Sequence, residues 1–189
     1  MQKEHPDSVG RLRTSAFTKL EEIFFDERQH DGYEYIQMIG LVGTKRVTKY
    51  VRRDYIKTPD NFEYYKIILP ASNGSGALGE VLSTPLIGQP LIGHTQTFIS
   101  IGKFDNKNEA EAAFKYIKSK FARALLGILK ITQHNPPEKW KYVPLQDFTV
   151  NSDIDWSQSV AGIDRQLYAK YGLDEREIEF IETHVKEMR

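Results

Sequence analysis

The sequence predicts an α+β fold, in which a twisted, mainly antiparallel sheet packs on one long helix and a small helical unit closes the C-terminus. Three observations carry this. Short β-branched and aromatic runs, punctuated by turn residues, recur between about residues 30 and 102. Ala110, Phe114, Ile117, Phe121, Leu125 and Ile128 recur every three or four residues and form one apolar helix stripe. Beyond residue 147, two shorter helical patterns follow, with Gly172 and Asp174 as punctuation.

Taken in order, residues 1–10 read as a leader with little structure of its own. Residues 11–25 form a first helix or strand with Phe17, Leu20, Phe24 and Phe25 as its apolar positions, and residues 26–32 are a polar turn. Residues 33–40 read as a strand. Residues 41–57 are the most cationic stretch, where Lys45, Arg46, Lys49, Arg52, Arg53 and Lys57 face a single acid, Asp54. Val47, Tyr50, Val51, Tyr55 and Ile56 are interleaved with these bases, so the segment can pack while showing charge. That pattern suits phosphate contact with base stacking, and equally an edge strand protected by its cations.

After a turn at 58–61, residues 62–70 read as a buried strand ending at Pro70. Asn73, Gly74, Ser75, Gly76 and Gly79 then make a flexible loop whose backbone amides could cradle a phosphate. It has neither the lysine nor the spacing of a P-loop, which argues against nucleotide binding. Residues 84–93 are an extended connection into a strand where Thr97, Ile99 and Ile101 alternate with Phe98, Ser100 and Gly102. Asn106 and Glu109 fit a capping box at the start of the long helix. Its outer face carries Lys115, Lys118, Lys120, Arg123 and Lys130, with no acid after Glu111. Residues 132–142 form a proline-marked loop with Trp140. Ile154, Trp156, Ile163, Leu167 and Tyr168 mark a short helix, and Asp174 caps a last one over 175–188 with Ile178, Ile181 and Val185 on one face.

The 189 residues allow one core, or one core with a small appendage. The net charge of zero hides a segregation: 1–41 hold five bases and eight acids, 42–146 sixteen and eight, 147–189 five and ten. A basic middle between acidic ends suits a surface that faces a polyanion. No apolar run is long enough to span a membrane, and no signal-peptide pattern is present. The absence of cysteine excludes disulfides and thiolate metal sites and fits a cytoplasmic protein. The five histidines show no metal-ligand spacing.

Two motifs invite a catalytic reading and fail it. Asn135-Pro136-Pro137 is similar to the N-P-P-aromatic motif of amino-methyltransferases, but Glu138 stands in the aromatic position and no glycine-rich S-adenosylmethionine turn precedes it. Asp60, Glu63 and Lys66 approach a metal-dependent nuclease pattern, but Glu63 to Lys66 is one residue too long for its acid–x–lysine ending.

Several longer series carry a resemblance: 43–51 (GTKRVTKYV), 64–76 (YYKIILPASNGSG), 95–102 (TQTFISIG), 115–133 (KYIKSKFARALLGILKITQ), 143–149 (VPLQDFT) and 152–157 (SDIDWS). Together they resemble the C-terminal target-recognition region of bacterial type II restriction-modification enzymes, in which adenine methyltransferase, nuclease and specificity functions share one long chain. The order of motifs also resembles target-recognition domains of type I specificity subunits. The resemblance covers roughly residues 11–188, and the catalytic motifs of such enzymes are missing from it.

The resemblance implies sequence-specific binding of double-stranded DNA by a recognition domain at 11–146, with an acidic helical unit at 147–189. It implies no catalysis and no cofactor in this chain. S-adenosylmethionine and Mg²⁺ are expected in the parent enzyme, whose methyltransferase and nuclease domains are the expected partners. The expected DNA-binding set is Lys45, Arg46, Lys49, Tyr50, Arg52, Arg53, Lys57, Asn73, Ser75 and Gln96. In it, the cations hold phosphates, while Arg46, Arg52, Asn73 and Gln96 read base edges. Two alternatives stand beside this reading: a protein–protein docking module, and a small Mg²⁺-dependent endonuclease using Asp60 and Glu63.

Overall fold

Both phases of the strand at 35–42 are apolar, and this decides the architecture. The computed structural model describes residues 12–72, 77–129 and 140–188. The leader, Asn73, Ser75, Lys130 and the Asn135-Pro136-Pro137 motif lie outside the described residues. Strand β1 (Tyr35–Val42) is buried along most of its length, so it needs cover on both faces. Ile36 and Met38 pack with Phe17, Phe24 and Phe62, whereas Ile39 and Leu41 pack with Ile68, Leu86 and Phe98.

Two three-stranded sheets result, where the sequence predicts one. In the first, β1 lies between β2 (Lys45–Arg52), antiparallel, and β5 (Ile92–His94), parallel. In the second, β3 (Tyr65–Pro70) lies between β4 (Leu86–Gly88) and β6 (Phe98–Phe104), both antiparallel to it. Residues 84–93, expected as plain connection, therefore supply two short strands. The mixed α+β class and the mainly antiparallel pairing are as expected. Gly43 and Thr44 join β1 to β2 as a two-residue turn, and the left-handed φ of +60° at Gly43 is one that glycine adopts without strain. Before β1, residues 12–25 give a one-turn helix, α1 (Ala16–Lys19), a 3₁₀ turn at Glu21–Ile23, and a single antiparallel bridge from Phe25 to Tyr50 of β2.

The second sheet turns Ile68 toward the first sheet and Ile67 and Leu69 toward the helices, against Ala110, Ala113, Ile117 and Leu126. The predicted long helix is two helices, α2 (Lys107–Lys118) and α3 (Lys120–Leu129), broken at the fully buried Ser119. Asn106 caps α2 by accepting from the Glu109 amide at 3.0 Å. At the break, the Ser119 hydroxyl accepts from the Ala122 amide at 3.1 Å. A remote residue completes this second start: the Asp164 carboxylate accepts from the Lys120 amide at 3.1 Å and the Phe121 amide at 2.9 Å. A carboxylate on two otherwise orphaned amides at the positive end of a helix is favourable on both counts. Ile128, placed on the buried stripe by periodicity, is 66% exposed beyond the turn that this break introduces.

Asp164 belongs to α4 (Val160–Tyr171), which starts at a Ser159 cap and ends at Gly172 in the left-handed region. A capping box of Asp174 and Glu177 opens α5 (Glu175–His184). The last helix stops at His184 because residues 185–188 turn extended and lie along residues 79–82, where the Lys186 amide donates to Gly79 O at 3.0 Å. The approach is so close that a Cβ on Gly79 would sit 2.0 Å from His184 O. The C-terminal helices share one core with α2 and α3, through Tyr116, Phe121, Ile163, Leu167 and Ile181. No helix among the described residues is long and apolar enough to cross a membrane.

This core reassigns the cationic face of the long helix. Lys115 Nζ donates to the carbonyls of Trp156, Ser157 and Gln158 at 2.7, 3.3 and 3.0 Å. Lys120 Nζ pairs with the Glu182 carboxylate at 2.5 Å. Arg123 is 3% exposed and donates to the carbonyls of Lys118, Glu80 and Lys186. Burial lowers its pKa to about 10, opposed by the nearby Asp164 carboxylate. Three bases of this face are thus engaged inside the molecule, Lys120 by an acid of the C-terminal unit and Lys115 and Arg123 by backbone carbonyls.

Replacing Asp164 with alanine leaves the buried Phe121 amide and the partly buried Lys120 amide without an acceptor, and is expected to destabilise the protein by about 1–3 kcal/mol. Urea unfolding measures this as a lower midpoint at unchanged slope.

Candidate nucleic-acid interface

The pleat of the first sheet places Arg46, Thr48, Tyr50 and Arg52 on one face of β2, beside Leu41, Ile39, Gln37 and Tyr35 of β1 and Ile92 and His94 of β5. The second sheet covers only part of this face, at Leu41, Ile39 and Ile92. At the other end the face forms a surface concavity of about 270 Å³, lined by Arg28, Tyr35, Gln37, Tyr50, Gln89 and Leu91 among others. No residue of β3, β4 or β6 lines it.

The cations predicted from the sequence do gather on this hairpin, but most have partners within the protein. Arg46 reaches over the Phe98 ring and donates through Nη2 to the carbonyl and hydroxyl of Thr84, both at 2.8 Å. Thr84 holds these two oxygens together from a backbone with φ of 35°, unusual for a β-branched residue. Lys49 pairs with Asp26 at 3.0 Å. Arg52 grips both oxygens of Asp54 at 3.0 and 2.5 Å and lies over the Tyr33 and Tyr55 rings. The hydrogen bonds it donates to Asp54 hold its guanidinium above the usual pKa. Arg53 bridges Glu34 at 2.9 Å and Glu63 at 2.7 Å. Lys45, at the hairpin tip, and Lys57, beyond the strand, are both exposed. These ion pairs sit at the surface, where solvent and salt weaken them, so a phosphate can compete for the same cations.

Tyr50 accepts a hydrogen bond from Gln37 Nε2 at 2.8 Å. Gln96 is exposed and lies near the hairpin turn, beside Gly43 and Arg13. It is therefore at the opposite end of the sheet from Tyr50 and Arg52. Across the eight paired residues of the hairpin, the two ends are roughly 20 Å apart. Asn73 and Ser75 lie outside the described residues. Gln37 is the functional candidate that sequence reasoning missed. Its signal was present as the one polar residue in the run Y-I-Q-M-I-G.

A second concavity, about 310 Å³, opens between the sheets and is lined by Met38, Phe62 and Phe98 with Lys57, Asn61 and His94. Lys66 lies against it, and its ammonium is held by the carbonyls of Asn61, Phe62, Tyr64 and Gln89 at 3.1–3.3 Å. Those four acceptors leave the ammonium little freedom to assist an attacking water. Glu63 is taken up by Arg53. No group of three or more His, Asp or Glu among the described residues is arranged to hold a metal ion. The nuclease alternative gains nothing from this geometry.

The chain matches no family model, no curated protein and no solved structure.

Burial pushes the Lys66 pKa down to about 8. A depressed folded value means that stability from this group is fully present above its ordinary pKa of 10.5 and is lost as pH falls through about 8. The stability of the protein relative to its Lys66→Met variant should therefore rise as pH goes from 8 to 10, measured by urea unfolding of both at the two values.

Proposed function

We propose that this chain recognises a specific sequence in double-stranded DNA as the target-recognition part of a bacterial restriction-modification enzyme. The observation that carries the proposal is the uncovered end of the first sheet. There a half-buried amide and a tyrosine hydroxyl are fixed in a shallow concavity, with Arg28 on its wall and Arg52 next along the strand. In the major groove, fixed donors and acceptors can read base edges while flanking cations contact phosphates. The resemblance described above and the concentration of bases in residues 41–57 support the same reading. Catalysis, with S-adenosylmethionine and Mg²⁺, is assigned in this reading to other domains of the parent enzyme.

The proposal is tested by selecting duplexes from a random pool at two salt concentrations. Enrichment of one short motif, with affinity falling steeply as salt rises, is the expected result. The Lys45→Ala variant should weaken binding equally for all sequences and lower the slope of log affinity against log salt by about one. Absence of enrichment from the intact chain would sink the DNA reading and leave the docking role first.

A further inference from the structure

We infer that Gln37 is a specificity-determining residue that reads an adenine in the recognised site, an inference that rests on the DNA reading above. The side chain has the properties that a base-reading group needs. Its strand is the middle one of three, with Gln37 registered against Tyr50 on one side and Ile92 on the other, so its Cα cannot shift without breaking two ladders. It points to the face of the sheet that the second sheet leaves open, into the concavity that Arg28, Tyr50 and Gln89 share. Gln37 is itself half-buried, and its hydrogen bond to Tyr50 Oη holds the amide against the strand.

That hydrogen bond uses one N–H of the amide. Gln37 has no further hydrogen-bond partner among the described residues. With Tyr50 on the N–H anti to Oε1, as the inference requires, the acceptor Oε1 and the syn N–H donor are left side by side. In the major groove adenine presents a donor, N6–H, next to an acceptor, N7, which is the complementary pair. Guanine presents two acceptors there, so its O6 would face Oε1 with no proton between them. Cytosine and thymine offer only one group each. The fixed amide thus prefers adenine by matching and disfavours guanine by repulsion.

Other base-reading candidates are less free to act. Arg46 is engaged by Thr84 and Arg52 by Asp54, and Gln96 lies at the far end of the sheet. Arg28, exposed on the wall of the same concavity, is placed to meet a phosphate flanking that base.

The test is duplex selection with the intact chain and with Gln37→Ala, Gln37→Glu and Tyr50→Phe, each first checked for an unchanged cooperative unfolding transition. The intact chain should enrich a motif containing adenine. Gln37→Ala should lose the preference at one adenine position by roughly 5- to 100-fold and keep the others. The near-isosteric Gln37→Glu keeps the packing if the alanine variant does not fold. It can only accept, so it should shift that same position toward cytosine, whose N4 amine donates. Tyr50→Phe, which frees the amide to rotate, should relax the same position by a smaller factor. An unchanged motif in both Gln37 variants would overturn the inference while leaving DNA recognition standing. Uniform weakening at every position would overturn it too, because it would mark a structural role. Enrichment of no motif by the intact chain would overturn the DNA reading, and this inference with it.

Discussion

The carboxylate of Asp164 on the first amides of α3 is the contact on which the remaining arrangement depends. It starts a helix that Ser119 has just interrupted, and it ties that helix to α4. Arg123, one turn further along α3, lies in the same buried region, and its guanidinium holds the extended C-terminal segment by Lys186 O. Desolvation raises the pKa of Asp164, and the two amides oppose that shift. A buried carboxylate is tolerated here because its charge is met by helix amides and by a neighbouring guanidinium. With the helix pair fixed in this way, the second sheet has a rigid surface beneath it, and the first sheet is fixed in turn through Ile68 and Phe98.

The distribution of charge takes on a different meaning in the folded molecule. Lys115 and Lys120 are engaged by the C-terminal unit, Arg123 is buried against the carbonyls of Lys118, Glu80 and Lys186, and the hairpin carries a further cluster of five bases from Lys45 to Arg53. Even there, Arg52 and Arg53 are balanced by Asp54, Glu34 and Glu63. In the DNA reading proposed above, such a face would bind phosphates by exchange of partners, which lowers nonspecific affinity and leaves more of the discrimination to positioned polar groups.

Much of the fold was legible in the sequence, and what was missed has physical causes. Capping at Asn106 and Asp174 and the glycine stop at Gly172 were readable because each is a local interaction. The break at Ser119 was not, because its own cap on the Ala122 amide is completed by a carboxylate more than forty positions away, and the apolar period runs on through the serine. Two sheets were read as one because Tyr35–Val42 is apolar in both phases, which fixes burial on two faces but not what covers each. At the candidate interface, residue type identified the basic hairpin. It could not show which cations were already engaged, since Glu34, Glu63 and Thr84 are brought to them only by the fold. Gln37 was overlooked among apolar neighbours, although a polar side chain in a central strand is the kind of exception that marks function.

The most direct measurement is backbone amide NMR of the intact chain, titrated with its best selected duplex. DNA recognition through the open end of the first sheet predicts shift changes concentrated in residues 35–53 and at Gln89 to Leu91, with the amides of α4 and α5 unmoved. Changes confined to Leu145, Val150 and the C-terminal helices, or none at any duplex concentration, would contradict it.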